Sequence, residues 1–413
     1  MSPGVPSGPA EPSRKVVAAP GRPSAGPDPV TLLRTALAED WTVGLFAHVN
    51  PDSDTLGSAL ALGLALRDAG ATVVVSFDAE PFQVPDGLAF LPGHDLLVAP
   101  ARLPARLDLV VTLDAAAPHM LGVLADRMAG APHTLVVDHH RSGADFGQVR
   151  MVDPDAPSTS TVVLQLLDRM GLALTADVAT ALYAGLATDT GSFRQATTSA
   201  AAHRAAARLV DAGADPTVIG WSVWGIHRFG YVGLLAEVLG RAGLSECSGA
   251  EGHRLAWTYI TDADLARHGL RLEHVEGVVD VLWGVLEADL AAVAKELPDR
   301  GWTVSLRSRG PIDVGAVAMG LGGGGHREKA GFTVSPGVNQ AAAGQAGQAG
   351  PGGGRPDDET RVGQIVAAIL NQVRRHASGH SSSGSSASGS SGDGPMGTTT
   401  IRVAHLAAAP RPS

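Results

Sequence analysis

The chain has 413 residues, of which 44 % are apolar and only 4 % aromatic, so Ala, Val and Leu must form most of the core. This length allows two ordinary domains or one large one. The single cysteine, Cys247, excludes a disulfide framework and a cysteine-rich zinc site within the chain. A formal charge of −10 argues against duplex DNA as a partner, but a local cationic pocket can still bind a small phosphorylated substrate.

The sequence also argues against a membrane protein. No stretch approaches the roughly 18 uninterrupted apolar residues that a membrane span needs. Prolines and glycines interrupt the first residues, which lack the layout of a signal peptide. We therefore expect a cytoplasmic protein with no membrane partner.

Three segments have a composition typical of disorder. Residues 1–28 are rich in Pro, Gly, Ser and Ala and are predicted to be a disordered leader. Residues 336–357 form a Gly/Gln/Ala-rich run that is predicted to be a mobile insertion. Ser/Gly repeats predict a disordered tail over residues 378–413.

The first folded region, predicted over residues 29–212, alternates strands and helices. Its apolar runs are TVGLFAH, TVVVSF, LDLVVTLD and HTLVVDHH. Its helical patterns are PVTLLRTALA, TLGSALALGLALRDAG and STSTVVLQLLDRMG. Near-continuous Val/Leu strands that alternate with helices indicate an α/β fold with a mostly parallel sheet flanked by helices.

A second, smaller α/β domain is predicted over residues 251–377, after a helical linker at 213–250. Its expected strands are HRLAWTYI, DLAAVAKEL and WTVSLRS. EHVEGVVDVLWGVL is expected to form a helix before the second of them. DDETRVGQIVAAILNQVRRHA predicts an amphipathic helix with acids at its start and basic residues at its end.

Acidic and histidine residues follow three predicted strands of the first domain, and one more acid lies in a predicted helix. Because the carboxyl ends of parallel strands share the edge where ligands bind, the first three motifs can converge. The aspartate in LATDTGSF must point inward from an otherwise Ala/Leu helix surface. The candidate residues are His48, Asp52 and Asp54 in HVNPDSD, Asp114, the run Asp138-His139-His140, and Asp189.

This set of side chains predicts a site for two divalent metal ions. Carboxylates packed together repel one another unless cations neutralise them. Oxygen ligands mixed with imidazole suit Mn²⁺ or Mg²⁺, with Fe²⁺ or Co²⁺ as substitutes, and paired metals of this kind hydrolyse phosphate esters. Taken alone, NPDSD is typical of a turn with a helix N-cap, and Asp114 is typical of a cap. Asp189 taken alone is typical of a buried, hydrogen-bonded acid. Their joint occurrence favours the metal centre.

The second domain carries the glycine-rich motif MGLGGGGHREKAGF. Consecutive glycines can expose N–H groups to phosphate oxygens, and the His326 and Arg327 side chains can add donors. Arg307 in SLRS is placed as an anion clamp. The alternative is a flexible turn beside an ordinary surface arginine. A predicted metal site in the same chain favours substrate binding.

Together these motifs resemble the DHH–DHHA1 phosphoesterase family over about residues 30–335, and most closely its nano-RNase branch. HVNPDSD, Asp114, DHH and ATDTGSF are similar to its catalytic motifs, and SLRS and GGGGHREKAGF to its substrate domain. The resemblance implies a Mn²⁺-dependent enzyme with its active site between two domains. Its substrates would be very short RNAs or adenosine 3′,5′-bisphosphate (pAp), which gives AMP, and it would be a homodimer. Alternatives are hydrolysis of c-di-AMP or pApA, a catalytically silent nucleotide sensor, and an interaction scaffold that uses the disordered ends.

The resemblance also implies roles for single residues. His48 and Asp52 would hold one metal, Asp54, His139 and Asp189 the other, and Asp114 would bridge both. His140 would face the scissile phosphate, and Asp138 would orient a histidine. The substrate's other phosphate or its nucleotide would contact Arg307, Ser308, Gly323, Gly324, Gly325, His326 and Arg327.

Three positions depart from the family pattern. Ser53 and Thr55 replace residues that are usually Gly or Ala, and both are small enough to be tolerated. Lys329 stands where a small residue is usual. Its side chain either adds a cation to the cleft or points to solvent.

Overall fold

The computed structural model describes residues 28–141, 143–247, 252–310, 312–336 and 358–381. The predicted leader up to residue 27, the insertion from residue 337 and the tail from residue 382 lie outside the described residues. Within these ranges the chain forms two sheets, each with its own helices and apolar core.

The first sheet has five parallel strands in the order β2-β1-β3-β4-β5. These strands are β1 Thr42–Phe46, β2 Thr72–Ser76, β3 Leu109–Leu113, β4 His133–Asp138 and β5 Val149–Val152. Its helices are α1 Pro29–Ala38, α2 Ser53–Asp68, α3 Ala125–Ala129, α4 Thr159–Met170, α5 Ala176–Asp189 and α6 Ala200–Asp211. The α/β class with a parallel sheet is confirmed.

Helix α2 occupies the centre of this domain. All of its residues from Ser53 to Leu66 are buried, because α4 and α5 pack against it. A Cβ atom at Gly57 would lie 2.5 Å from the carbonyl oxygen of Ala181 in α5. Glycine at this position therefore permits the close approach of the two helices that carry Asp54 and Asp189.

The second sheet has six strands in the order β10-β11-β9-β8-β7-β6, of which only β7 and β8 pair in parallel. These strands are β6 Gly243–Glu246, β7 Arg254–Ile260, β8 Leu290–Glu296, β9 Trp302–Ser308, β10 Gly324–Gly325 and β11 Lys329–Val334. The remaining helices are α7 Pro216–Gly220, α8 Phe229–Gly240, α9 Asp262–His268, α10 Val278–Trp283, α11 Val314–Met319 and α12 Asp358–Ser381.

Several details differ from the sequence-based expectations. The segment 213–250 contains α7 and α8 but also β6, which pairs with β7 of the second sheet. The helix expected over EHVEGVVDVLWGVL is instead a short 3₁₀ turn, Leu272–Val275, followed by α10. Glycines at positions 277 and 284 flank α10 and limit its length. Among the described residues, no helix is long and apolar enough to cross a bilayer.

Candidate metal centre

The turn between β1 and α2 carries the HVNPDSD motif to the carboxyl edge of the sheet. Asn50 takes a left-handed conformation, with φ at 51°, which reverses the chain after the strand. Asp52 is the N-cap of α2: its Oδ1 accepts hydrogen bonds from the N–H groups of Asp54 and Thr55, at 3.0 and 3.2 Å. The helix-cap interpretation of this motif is therefore correct for Asp52, which also lines the cleft.

Asp54 lies fully buried in the first turn of α2. The N-terminus of α4 donates three hydrogen bonds to its carboxylate: Thr159 N–H at 2.7 Å, Ser160 N–H at 2.9 Å and Ser160 Oγ at 2.6 Å. Burial nevertheless raises the pKa of Asp54 to about 6, and the neighbouring Asp189 carboxylate adds to the rise. These donors fix both of its oxygens in direction.

Asp114 follows β3 in a left-handed conformation, with φ at 59°. Its Oδ1 accepts a hydrogen bond from Thr159 Oγ1 at 2.8 Å. Burial raises the pKa of this carboxyl well above its ordinary value, and Asp54 raises it further. The backbone at Asp114 is strained for a non-glycine residue, which is typical of a functional position.

The three residues after β4 form a connected unit. Asp138 Oδ1 accepts hydrogen bonds from the His139 N–H at 2.8 Å and from Nδ1 of His140 at 2.7 Å. The histidine that Asp138 orients is thus His140. Nδ1 of His139 lies 3.2 Å from the carbonyl oxygen of Ala156, a contact that requires a proton on Nδ1 and leaves Nε2 to face the acids.

Nε2 of His139 lies among three carboxylates. It is 3.1 Å from Asp189 Oδ2, 3.5 Å from Asp114 Oδ1 and 4.0 Å from Asp54 Oδ2. The atom is buried and has no hydrogen bond of good geometry with any residue that the structure describes. Burial alone would lower the pKa of His139, but the carboxylates raise it to about 10. Nε2 of His139 is therefore a buried nitrogen that faces three carboxylates without a hydrogen-bond partner among the described residues, and the residues fit a metal centre.

The potential ligands form two groups that meet at Asp114. His48, Asp52 and Asp114 offer ligand atoms within 4.8 Å of one another, and so do Asp54, His139 and Asp189. Asp114 Oδ2 lies 3.7 Å from His48 Nε2, while its Oδ1 faces His139. Nδ1 of His48 contacts the carbonyl oxygen of Val49 at 2.7 Å, which leaves its Nε2 available. Asp114 is therefore in a position to serve both groups.

The second domain forms the opposite wall of the cleft. The rings of His326 and His140 stack with centroids 4.5 Å apart. Burial lowers the pKa of His326 to about 4. The cavity between the walls has a volume of about 250 Å³, and residues of both domains line it: His48, Asp52, Asp114, Met120, His140, Asp189, Glu276, Ser305, Arg307, Gly325, His326, Lys329 and Ala330.

Four of the predicted substrate-binding residues lie outside the lining of this cavity. Ser308 is buried, and its Oγ accepts a hydrogen bond from the Gly310 N–H at 3.1 Å. The exposed Arg327 donates to the carbonyl oxygen of the same Gly310 at 3.0 Å. Gly323 packs against β11, where a Cβ would lie 2.1 Å from the carbonyl oxygen of Gly331. Gly324 pairs with that residue in the β10–β11 ladder.

Two contributors to the site are not predicted from the sequence, and a third is predicted only as one of two alternatives. Thr159 and Ser160 lie in a segment whose pattern indicates only a helix, although they donate to Asp54 and Asp114. The polar run STST beside an apolar helix was the available signal. The sequence allows the Lys329 side chain to point either into the cleft or to solvent. In the structure its ammonium lies in the cleft, 3.6 Å from Asp52 Oδ2 and 3.7 Å from Asp189 Oδ1.

Comparison with known proteins identifies the family of this chain. The family model "DHH family, N-terminal domain" matches residues 42–186, which contain most of the potential ligands. The bifunctional oligoribonuclease and PAP phosphatase NrnA of Thermus thermophilus is 32 % identical over 301 residues, covering 72 % of this chain and 85 % of that protein. The cyclic-di-AMP phosphodiesterase GdpP of Geobacillus thermodenitrificans is 29 % identical over 73 % of this chain. The matched region covers only 46 % of that protein.

A solved structure shares the fold over most of the chain. The exopolyphosphatase-related protein from Bacteroides fragilis superposes with a TM-score of 0.69 at 22 % identity, covering 84 % of this chain and 97 % of that one. The family-model match and the identity to the Thermus protein along most of both sequences show that this chain belongs to the DHH family of phosphoesterases.

Proposed function

We propose that this chain is a Mn²⁺-dependent phosphohydrolase with two metal ions that degrades very short oligoribonucleotides, removes the 3′-phosphate of pAp, or does both. The observation that carries the proposal is a pair of neighbouring ligand groups: Asp114 belongs to the first and its Oδ1 lies 3.5 Å from His139 Nε2 of the second. Both groups face a wall with Arg307 and His326. The Thermus relative supports the choice of substrates, because its name describes both activities.

The proposed ligand sets follow the two groups of side chains. His48 and Asp52 would hold one ion, Asp54, His139 and Asp189 would hold the other, and Asp114 would contribute to both. The four carboxylates carry four negative charges, which two divalent cations neutralise. When bound, the ions supply activation of the attacking water and stabilisation of the charge that develops at phosphorus. Mg²⁺ or Co²⁺ are substitutes that the same oxygen and imidazole donors accept.

His140 is proposed as the general acid. Its Nδ1 is fixed by Asp138, so the ring presents Nε2 as the atom that can hold and deliver a proton. The residue lines the cleft beside Asp114, within reach of a phosphate ester placed there. Protonation of the leaving oxygen by such a group contributes about 10²- to 10⁴-fold to the rate.

The small size of the cleft supports a short substrate. The backbone N–H of Ala196, just after the helix that carries Asp189, donates to Glu328 Oε2 at 3.2 Å. This contact joins the first domain to the glycine-rich motif of the second. A cavity of about 250 Å³ has room for part of a small nucleotide, and duplex DNA is too wide for it.

Hydrolysis of c-di-AMP or pApA is the second candidate. The cyclic-di-AMP phosphodiesterases of Geobacillus thermodenitrificans and Bacillus subtilis are 29 % and 25 % identical to this chain. The chain spans 46 % of each, so their support concerns only the shared region. Both candidates need one phosphate at the metals and a nucleotide at the opposite wall.

We also propose a cytoplasmic homodimer. A run of exposed apolar side chains in the segment between the two sheets supports self-association: Trp221, Ile226, Phe229 and Val232 are 59, 71, 91 and 61 % exposed. The buried free thiol of Cys247 is compatible with a reducing compartment.

The decisive experiment is a substrate panel with the purified chain. Release of AMP or mononucleotides would be followed for pAp, RNAs of two to five nucleotides, pApA and c-di-AMP, with Mn²⁺, Mg²⁺, Co²⁺ or a chelator. We expect Mn²⁺-dependent turnover of pAp and short RNAs, and none in a chain carrying both Asp114→Asn and His139→Ala. If the Mn²⁺-loaded chain left both pAp and the dinucleotide intact while it hydrolysed c-di-AMP, the second candidate would replace the first.

A further inference from the structure

Lys329 places a positive charge inside the proposed metal centre. Lysine is rare in this chain, where Lys15, Lys295 and Lys329 are the three examples. The Lys329 ammonium lies 3.6 Å from Asp52 and 3.7 Å from Asp189. These two carboxylates belong to different ligand groups, so one ammonium spans both.

The backbone holds this lysine in place from the second domain. Lys329 begins β11, where it pairs with Arg307 of β9, and its carbonyl oxygen accepts a hydrogen bond from the His326 N–H at 2.7 Å. The tight turn from His326 to Lys329 therefore fixes the start of the side chain. The side chain itself is 33 % exposed, and its four-carbon stem is flexible. Its ammonium can therefore change position without backbone movement.

The charges in the centre determine what the ammonium can bind. Without metal ions, the Asp52 and Asp189 carboxylates are the nearest anions to Lys329. A divalent ion that binds either carboxylate neutralises it and repels the ammonium. Metal and lysine therefore compete for the same two side chains.

The cavity offers the displaced ammonium another role. Arg307 and His326 line the same wall, and a phosphate placed against the metal ions would meet this wall. With two ions bound, the four carboxylates would no longer attract the Lys329 ammonium. The substrate's phosphate would still attract it. The ammonium is then free to contact the phosphate oxygens.

We propose that the Lys329 ammonium competes with metal ions for Asp52 and Asp189 in the empty centre and, once displaced, binds the phosphate of the substrate. This inference rests on the proposed two-metal function. It predicts two effects of opposite sign when the charge is removed: metal binding becomes tighter, and phosphate binding becomes weaker. A merely structural role for the side chain would weaken both.

The test uses three variants of the full chain. Lys329→Met keeps an unbranched side chain without the charge, Lys329→Arg keeps the charge, and Arg204→Met removes one positive charge from the exposed face of α6. Calorimetry would measure Mn²⁺ binding to metal-free protein and then AMP binding to Mn²⁺-saturated protein. We expect Lys329→Met to bind Mn²⁺ about tenfold more tightly and AMP about tenfold more weakly. Lys329→Arg and Arg204→Met should stay within about twofold of the parent chain in both.

The outcomes separate this inference from the proposed function. If the parent chain bound no Mn²⁺, both would be wrong. If it bound Mn²⁺ but Lys329→Met bound the ion no more tightly, only the competition would be wrong. Tighter Mn²⁺ binding with unchanged AMP binding would overturn the phosphate contact. Far-UV circular dichroism checks the folding of each metal-free variant, and Lys329→Gln repeats the test with a second neutral side chain.

Discussion

The hydroxyl of Ser160 should control how firmly the centre holds its metal ions. Ser160 Oγ donates to Asp54 Oδ1 at 2.6 Å, and both side chains are buried, at 1 and 0 % exposure. The Asp54 carboxylate also accepts hydrogen bonds from the N–H groups of Thr159 and Ser160. Ser160→Ala therefore removes one of the three hydrogen-bond donors to Asp54 without replacing any proposed ligand.

The magnitude follows from the kind of bond that is lost. A hydrogen bond to a charged group contributes about 1.5 to 3 kcal/mol. Two backbone donors remain on Asp54, so we expect the lower part of this range, about 1.5 to 2 kcal/mol. That corresponds to a loss of metal affinity of about 10- to 30-fold, within the 10- to 100-fold that partners of metal ligands usually contribute.

Calorimetric titration of Mn²⁺ into metal-free protein at about pH 8 measures this effect, because Asp54, with a pKa of about 6, is then ionised. Ser58→Ala is the matched control. Ser58 Oγ lies 3.1 Å from Ser160 Oγ but makes no hydrogen bond to Asp54, so its loss should change affinity by less than about threefold. An unchanged affinity in Ser160→Ala, or an equal loss in Ser58→Ala, would refute the reasoning.

Three further predictions concern catalysis, packing and pH. His140→Ala should lower kcat by about 10²- to 10⁴-fold while calorimetric Mn²⁺ affinity stays the same, since the residue is proposed to move a proton. Gly185→Ala should lower both the Tm and Mn²⁺ affinity, because the new Cβ would lie 2.0 Å from Ser160 Oγ. Burial opposes ionisation of Asp264, but the hydrogen bond from Arg241 lowers the pKa of this carboxyl. The pair therefore stabilises the fold above about pH 4, and this contribution is lost as the pH falls. In urea unfolding at neutral and acidic pH, the free energy of unfolding should therefore fall less on acidification in Asp264→Asn than in the parent chain.

The sequence predicted the parallel sheet and the convergence of the candidate ligands because two simple regularities hold in this fold. Buried parallel strands are apolar throughout, so β1, β3 and β4 were visible as Val/Leu runs. The ends of such strands meet at one edge, which brought Asp114 and His139 together without any knowledge of the loops. Strands that do not follow this pattern, such as β5, were missed.

Contacts across long distances in the chain could not be predicted. Ser160 reaches Asp54 over 106 positions, and its sequence context indicates only a helix start. The direction of Lys329 depends on how the second domain lies against the first. Arg307 was expected as an anion clamp, and its Nε donates to Asp280 Oδ1 at 3.0 Å, a contact that a substrate anion would have to rearrange or share.

The motif NPDSD shows how one residue can be both a helix cap and a proposed metal ligand. A carboxylate has two oxygens, and Asp52 uses them separately. Its Oδ1 caps α2 through the N–H groups of Asp54 and Thr55, while its Oδ2 faces the cleft and Lys329. The cap fixes the orientation of the free oxygen, because rotation of the carboxylate would break two hydrogen bonds. A helix cap at the carboxyl edge of a parallel sheet therefore holds its second oxygen in a fixed direction, and the structural role of Asp52 is what would position its proposed role as a metal ligand.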